Sequence, residues 1–484
     1  MPYRATIGIE VHAQLQTASK MFCSCRADYA AAPPNTLVCP VDLGLPGALP
    51  VINAKAVADT VLTGLALGCR IAGVSWFDRK NYPYPDLPKG YQISQYDHPL
   101  CSHGALEIEV QGQKRRIGIR RVHLEEDTAK LTHAGDCTLV DFNRAGVPLM
   151  EIVSEPDMHT PEEAYAYVTR LRSILRYLGV NSGDMEKGAL RLEVNVSVAR
   201  EGEQGTKVEI KNLNSFRAVL RSLEYEVARQ TQVLEAGGQV EQVTMGWDEA
   251  REVTFVQRTK EEAHDYRYFP EPDLPPLTLD PAWVESIRAQ LPELPAAKVE
   301  RYQREYGLSA YDAGVLTAER AVAEYFEEAV ARAGDGVDAK MIANWLTGEL
   351  FRLLRAEERP IEASPVSPER LVELLRMVAS GQLTAANGKA VLAEMFATGK
   401  GPQEIARARG LAQISDRAQL RQVAERVLDE NPGPVADYLA GKEPLLRFLM
   451  GQMMRATRGQ ANPQIAQEVL REALEARRST GAPR

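Results

Sequence analysis

From Arg121 to Asp157 the chain reads RVHLEEDTAKLTHAGDCTLVDFNRAGVPLMEIVSEPD, and this stretch decides the fold. Acids dominate its charges (Glu125, Glu126, Asp127, Asp141, Glu151, Glu155, Asp157), with single Lys and Arg residues between short apolar pairs. Apolar residues do not recur at i, i+3 and i+4 as on an amphipathic helix, and Gly146 and Pro148 oppose a helix through the middle. The stretch therefore reads as strands and tight loops that carry carboxylates. Such carboxylates suit a hard cation with oxygen ligands, or acid/base chemistry. Taken alone, an acidic surface ribbon is an equal reading.

Three other segments favour a site. In Ile7–Leu15 the odd positions are apolar and the even ones bring Glu10, His12 and Gln14. In Leu190–Val198, Leu and Val alternate with Arg191, Glu193, Asn195 and Ser197, and in Lys207–Lys211 Val208 and Ile210 alternate with Lys207, Glu209 and Lys211. A period of two puts one face on a core and the other away from it. On each of these strands the polar face sets a carboxylate within two residues of a His, Arg or Lys, which a merely wet face has no reason to do. Residues 199–205 are suited to turning the second strand back onto the third as a hairpin.

Helices are expected over Asn53–Leu67, over Pro161–Tyr177 with Glu162 and Glu163 in the first turn, and from Ser215 to about Leu234. Strands with interspersed helices and no regular βαβ alternation predict an α+β domain with an antiparallel sheet. The Pro-rich stretches Pro270–Pro281 and Leu291–Pro295 read as a boundary, beyond which the chain is helical. Ser367-Pro368-Glu369 starts one helix, Ser415-Asp416 opens another that Asn431-Pro432 ends, and Asn462-Pro463 starts the last. Leu446, Leu449, Met450, Met453 and Met454 form an apolar stripe of the kind that belongs to a core. The expected division is 1–293, 294–405 and 406–484.

At 484 residues the chain is too long for one ordinary core. Its 44% hydrophobic and 25% charged content is that of a soluble globular protein. No run approaches the roughly 20 apolar residues of a membrane span, nothing resembles a secretory signal, and six cysteines in so long a chain suggest a reducing, cytoplasmic compartment. The net charge of −9 opposes indiscriminate nucleic-acid binding. From Ala406 onward, however, 13 Lys/Arg stand against 9 Asp/Glu, leaving −13 for the first 405 residues. That basic tail is either a solvated helical surface or an RNA footprint.

No phosphate-binding G-x-x-x-x-G-K-[ST] loop, no G-x-G-x-x-G after a strand and no G-x-S-x-G is present. A nucleotide site must then be built from metal-binding carboxylates and basic side chains. Cys23, Cys25, Cys39 and Asp42 offer three thiolates and a carboxylate for a tetrahedral zinc, or are ordinary reduced cysteines beside an acid. Lys80–Gln92 is a Pro-stiffened loop rich in Tyr, either a packed cover or a place where a nucleoside stacks.

With these residues in view, the sequence resembles the B subunit of the glutamine-dependent aspartyl/glutamyl-tRNA amidotransferase nearly end to end. The run from Val140-Asp141-Phe142-Asn143-Arg144 to Ser154-Glu155-Pro156 carries the resemblance. Ile9-Glu10-Val11-His12, Asp78-Arg79-Lys80-Asn81-Tyr82, Glu209-Ile210-Lys211-Asn212, Asp265-Tyr266-Arg267-Tyr268-Phe269-Pro270 and Gly459-Gln460-Ala461-Asn462-Pro463 support it. Two departures stand out: many members carry Cys at the place of Asp42, and many carry Asp at the place of Glu193.

The resemblance implies a cradle domain related to glutamine synthetase, a helical domain and a small helical tail that contacts tRNA. It implies a C–N-forming ligase in which ATP phosphorylates the side-chain carboxylate of Glu or Asp misacylated on tRNA-Gln or tRNA-Asn. Ammonia from the amidase subunit of the same complex then displaces phosphate, and a small third subunit makes up the heterotrimer. Glu10, His12, Glu125 and Glu151 are the expected magnesium cluster. Lys80, Arg144, Arg191, Lys207 and Lys211 are expected to neutralise phosphate oxygens, and Asn143 is placed with them. Glu193 and Glu209 are expected to hold a second metal or to take a proton from ammonia. Arg455 and Arg458 are the expected tRNA contacts. A non-catalytic tRNA scaffold and a small-molecule carboxylate–amine ligase are the competing readings. The strand-borne carboxylates oppose the first, and the basic tail opposes the second.

Overall fold

The computed structural model of the chain describes residues 3–259, 266–334, 336–411, 416–457 and 460–480. It divides into two units, Met1–Pro295 and Ala296–Arg484. The strands of the first unit are, in chain order, β1 (Tyr3–Gln14), β2 (Arg70–Ile71), β3 (Val74–Ser75), β4 (Asp78–Asn81), β5 (Tyr91–Ser94), β6 (Cys101–Val110) and β7 (Gln113–Glu126). A small hairpin, β8 (Lys130–Ala134) and β9 (Cys137–Asp141), precedes β10 (Pro148–Ser154) and β11 (Leu190–Arg200). β12 (Val208–Leu213), β13 (Val243–Asp248), β14 (Val253–Thr259), β15 (Phe269–Pro270) and β16 (Leu277–Thr278) complete the set.

Nine of them form one sheet in the order β14-β13-β12-β11-β1-β10-β7-β6-β2. Its neighbours are antiparallel except β12 and β13, which run parallel with a helical crossover between them. The alternation expected of the first strand is present: Ala5, Ile7, Ile9, Val11 and Ala13 of β1 are buried, and the residues between them are half-buried on the other face. Three helices, α1 (Ala54–Ala66), α2 (Pro161–Tyr177) and α3 (Phe216–Glu235), share the apolar core with that buried face. Their starts are set by side-chain caps: Asn53 accepts from the Lys55 and Ala56 amides, Thr160 from Glu163, and Ser215 from Ala218. The opposite face of the central strands carries the half-buried polar residues of β1 and β11.

The first unit takes in the Pro-rich stretch Pro270–Pro281 and ends at Pro295, within the second Pro-rich stretch. β15 pairs with β4, β16 pairs with β3, and Leu274, Leu279 and Ile287 join the first core. Pairing with distant strands, rather than local composition, holds Pro270–Pro281 in this unit.

The second unit is helical. Tyr302 to Ala406 contribute one buried cluster, including Leu371, Leu374 and Leu375 of the helix Pro368–Ala379. A second cluster gathers from Leu420 onward, with Leu449 and Met453 of Leu445–Ala456 and Leu470 and Leu474 of Pro463–Thr480. Leu446, Met450 and Met454 pack against it, so the apolar stripe is core as expected. Asp416 caps Arg417–Glu430; the accompanying Ser415 lies outside the described residues, as does Arg458. No helix among the described residues is long and apolar enough to cross a membrane.

Candidate active site

The register of four adjacent strands assembles the site. Arg191 on β11 stands opposite His12 on β1, His12 opposite Glu151 on β10, and Glu151 opposite His123 on β7. Two residues back along β1, Glu10 faces Glu193. Directly opposed residues have Cβ atoms roughly 4.5–5.5 Å apart, so these side chains meet on the face turned away from the helices. His12 Nε2 lies 3.6 Å from Glu125 Oε1 and 3.6 Å from Glu151 Oε2. His123 Nε2 lies 3.1 Å from the same Glu151 oxygen. Ligand atoms of His12, Glu125 and Glu151 all fall within 4.8 Å of one another. Glu10 stands beside this trio, its Oε1 accepting from Asn195 Nδ2 at 3.0 Å. The group lies in a cavity of about 660 Å³ that also takes in Lys80, Arg121, Glu193, Glu209 and Lys211.

Burial and mutual repulsion govern its charges. Burial first, then the Glu151 charge, pushes the Glu125 carboxyl up. Burial pushes Glu10 up too, helped by Glu151 and Glu193. For Glu151 burial acts in the same direction, but His123, His12 and Lys80 outweigh it and hold the carboxyl well below the usual range. Burial opposes the charge of His12, yet Glu151 and Glu125 prevail and raise the imidazole. Such crowding of carboxylates around two imidazoles is a place where added positive charge is stabilised.

The cations differ in what they already hold. Arg191 gives two parallel hydrogen bonds to Asp127, at 2.9 and 3.0 Å, and Gln14 Nε2 donates to the same carboxylate at 2.7 Å. Lys211 Nζ sits 2.8 Å from Glu193 and 3.6 Å from Glu209, and Glu209 also accepts from Thr244 at 2.8 Å. Lys80 lies 4.9 Å from the Tyr266 ring centre; burial opposes its charge, but Glu125 and neighbouring tyrosines raise its pKa. Lys207 lines an adjoining depression of about 390 Å³ that shares Glu10.

Asn143 and Arg144 do not line the cavity. Arg144 donates to the Thr128 and Ala129 carbonyls, both at 2.8 Å. Asn143 donates to the Pro33 carbonyl and accepts from the Leu37 amide. Both side chains brace loops. His123, Asp127 and Arg121 belong to the geometry although none of them is an expected site residue. For His123 the signal is present in the sequence, since it lies two residues from Glu125 on one strand face.

A second cluster stands at the N-terminal loops. One atom each of Cys23, Cys25, Cys39 and Asp42 lies within 4.8 Å of the others. Cys23 Sγ donates to Asp42 Oδ1 at 3.3 Å, while the Cys39 amide and the fully buried Lys20 reach Oδ2 at 3.0 and 3.3 Å. Burial, followed by Asp42, pushes the Cys25 thiol up to about 11 and moves Cys23 the same way.

Comparison with known proteins agrees with the architecture. Residues 5–285 match the GatB/GatE catalytic domain and residues 324–474 match the GatB domain. The chain is 55% identical over 480 residues to the aspartyl/glutamyl-tRNA(Asn/Gln) amidotransferase B subunit of Moorella thermoacetica, covering 98% of this chain and 100% of that one. It is 56% identical over 481 residues to the protein so named from Thermomicrobium roseum, covering 98% and 99%. The counterpart from Herpetosiphon aurantiacus is 55% identical over 482 residues, covering 98% and 100%.

Proposed function

The chain belongs to the family of aspartyl/glutamyl-tRNA(Asn/Gln) amidotransferase B subunits, and from that premise we propose that its polar sheet face amidates Glu or Asp misacylated on tRNA-Gln or tRNA-Asn. The observation that carries this reading is the row of His12, Glu125 and Glu151 in one cavity with Lys80. In the first step a side-chain carboxylate oxygen of the substrate attacks the terminal phosphorus of ATP. A P–O bond forms, and the bond to the bridging oxygen breaks with its electrons going to ADP. In the second, the lone pair of ammonia forms the C–N bond, the C–O bond to phosphate breaks, and inorganic phosphate leaves. The proton lost from nitrogen goes to a carboxylate, for which Glu193 and Glu209 stand on the cavity wall.

Phosphoryl transfer is chiefly positioning and charge neutralisation. The oxygen donors of Glu125 and Glu151, with His12 beside them, fit a hard divalent cation, with Glu10 next to them on the same strand face. Magnesium held there supplies positive charge at the phosphate oxygens. Lys80 adds a cation on the cavity wall, set over the Tyr82 and Tyr266 rings. Ammonia comes from the amidase subunit of a heterotrimer that a small third subunit makes up, in the cytoplasm. The thiol cluster fits a structural zinc, with Cys23, Cys25, Cys39 and Asp42 as ligands. Protein prepared without chelator should hold about one zinc per chain and lose it in Cys39→Ser; metal analysis finding none in the parent protein removes that assignment.

The test of the main reading is ATP hydrolysis by the purified heterotrimer with each misacylated tRNA separately. Phosphate release that requires a misacylated tRNA and is matched by amide formation is expected. Tight tRNA binding without phosphate release would leave only the scaffold role.

A further inference from the structure

Strand β7 changes parity along its length. Ile117 and Ile119 face the core upstream, whereas Val122 and Leu124 do so downstream. The cause is an irregularity in the pairing with β10: Val153 opposes Arg121, but the next residue, Ser154, opposes Ile119, so β7 carries one residue more than its neighbour. Bulges of this kind re-aim side chains and concentrate beside active sites. Here the extra residue puts Arg121 on the face of His123 and Glu125, in the cavity, instead of on the face of Ile117 and Ile119.

The guanidinium that the bulge turns inward is unmatched. Arg121 Nε is buried and has no hydrogen-bond partner, and among the described residues Arg121 forms no ion pair. Its neighbour Arg120 is paired with Glu155 at 2.7 Å. Arg191 is tied to Asp127, and Lys211 sits between Glu193 and Glu209. A buried N–H left without an acceptor is rare and calls for an explanation at the site where it stands. A planar fork of donors facing a cavity is matched best by a phosphate group, which it can grip with two parallel hydrogen bonds.

Resting on the functional reading above, we propose that Arg121 is a phosphate-binding residue of this site, taking non-bridging oxygens of the phosphoryl group that passes from the nucleotide to the substrate carboxylate. The phosphate belongs to the nucleoside triphosphate before transfer and to the acyl phosphate afterwards, and Arg121 serves the chemistry common to both. The sequence offers Lys80, Arg144, Arg191, Lys207 and Lys211 for this task; of these, Arg191 has two of its donors on Asp127.

The test uses the whole heterotrimer with Arg121→Gln and Arg121→Lys. Arg121→Gln should lower kcat/KM for ATP in tRNA-dependent phosphate release about 100-fold or more. Arg121→Lys should recover part of the loss, because it keeps the charge and loses the fork. Binding of a non-hydrolysable ATP analogue with magnesium, measured by calorimetry, should weaken in the same order, while misacylated tRNA binds as before. Melting temperature without nucleotide should not fall in Arg121→Gln, since no native partner is lost; a merely structural Arg121 would show the reverse, a lower melting temperature and unchanged analogue binding. Should Arg121→Gln fail to fold, Arg121→Lys alone decides, and parental analogue affinity in it overturns the proposal. If analogue binding weakens and acyl transfer from pre-formed acyl phosphate also slows, both forms of the phosphate are held; if only analogue binding weakens, Arg121 acts before transfer. A parent complex that shows no tRNA-dependent phosphate release defeats the functional reading itself, whereas an active parent with indifferent Arg121 variants defeats this inference alone.

Discussion

The polar face of the large sheet and the helices from Arg417 onward use the same residue types in opposite ways. On the sheet, Glu125, Glu151 and His123 are buried, with His123 Nε2 3.1 Å from Glu151 and 4.0 Å from Glu125. In the last helices, Arg417 reaches Glu468 and Glu472, and Arg477 reaches Asp429, with most of these groups in contact with water. A charge kept from water is costly unless it is paired and hydrogen-bonded, while an exposed ion pair contributes about 0–1 kcal/mol. Buried carboxylates crowded against one another, as at Glu10, Glu125 and Glu151, mark chemistry, whereas dispersed, exposed charge marks solubility or association. Substitutions in the two regions should differ in size and in kind.

The largest effect belongs to the carboxylates. Glu125→Gln and Glu151→Gln should each abolish tRNA-dependent phosphate release while tRNA binding stays near its parental value. Replacing an anion by a neutral amide removes a metal-type ligand and leaves its imidazole neighbours unbalanced. Parental phosphate release in both variants would break the contrast at its strong end.

How much of this was legible follows from the range of each interaction. The carboxylate strands and the helix starts at Asn53, Thr160 and Ser215 are local patterns, and they stand where the sequence puts them. Arg121 was hidden by a bulge, because one extra residue inverts the parity on which strand reading depends. Asp127 and Arg191 lie 64 residues apart, and only the register of four strands shows that they meet. Asn143 and Arg144 stand in the most distinctive run of the chain, but their side chains bind chiefly backbone carbonyls and amides, with Arg144 also 3.8 Å from Asp127. Distinctive sequence marked a loop tied down by hydrogen bonds there.

An intermediate effect is expected at Asp127, which is buried and structural. Asp127→Ala strands the Arg191 guanidinium and takes one of two acceptors from Gln14, so it should cost about 3–5 kcal/mol of stability. Burial opposes the Asp127 charge, but Arg191 and Arg144 hold its carboxyl below the ordinary value. Its contribution is therefore complete above the unfolded-state value of about 4 and is lost as pH falls through the lower folded-state value. Denaturant titrations from pH 6 downward should show a shallower acid-side loss in Asp127→Ala than in the parent. Equal slopes would mean that the pair contributes nothing to folding.

The smallest effects belong to the tail, and there the comparison is sharpened rather than broken. A cut at Asp416 is cleaner than one at Ala406, because Ile405 and Ala406 are buried in the preceding helical cluster. Removing the residues from Asp416 on should raise the Michaelis constant for misacylated tRNA over tenfold, or more than about 1.4 kcal/mol. Glutamine hydrolysis by the amidase partner, measured without tRNA, should stay close to normal. Cations that grip phosphates release counterions, so the parent complex should lose tRNA affinity steeply with salt and the truncated one less so. Single residues divide by what they already hold. Arg455 is exposed at the end of its helix with no ion-pair partner among the described residues, so Arg455→Ala should lower the salt slope by about one. Arg417 is committed to Glu468 and Glu472, and Arg417→Ala should change tRNA binding little and stability by less than about 1 kcal/mol. If the truncated complex keeps both the affinity and the salt slope of the parent, the exposed arginines of the tail are a solvated surface, and tRNA is held elsewhere on the protein.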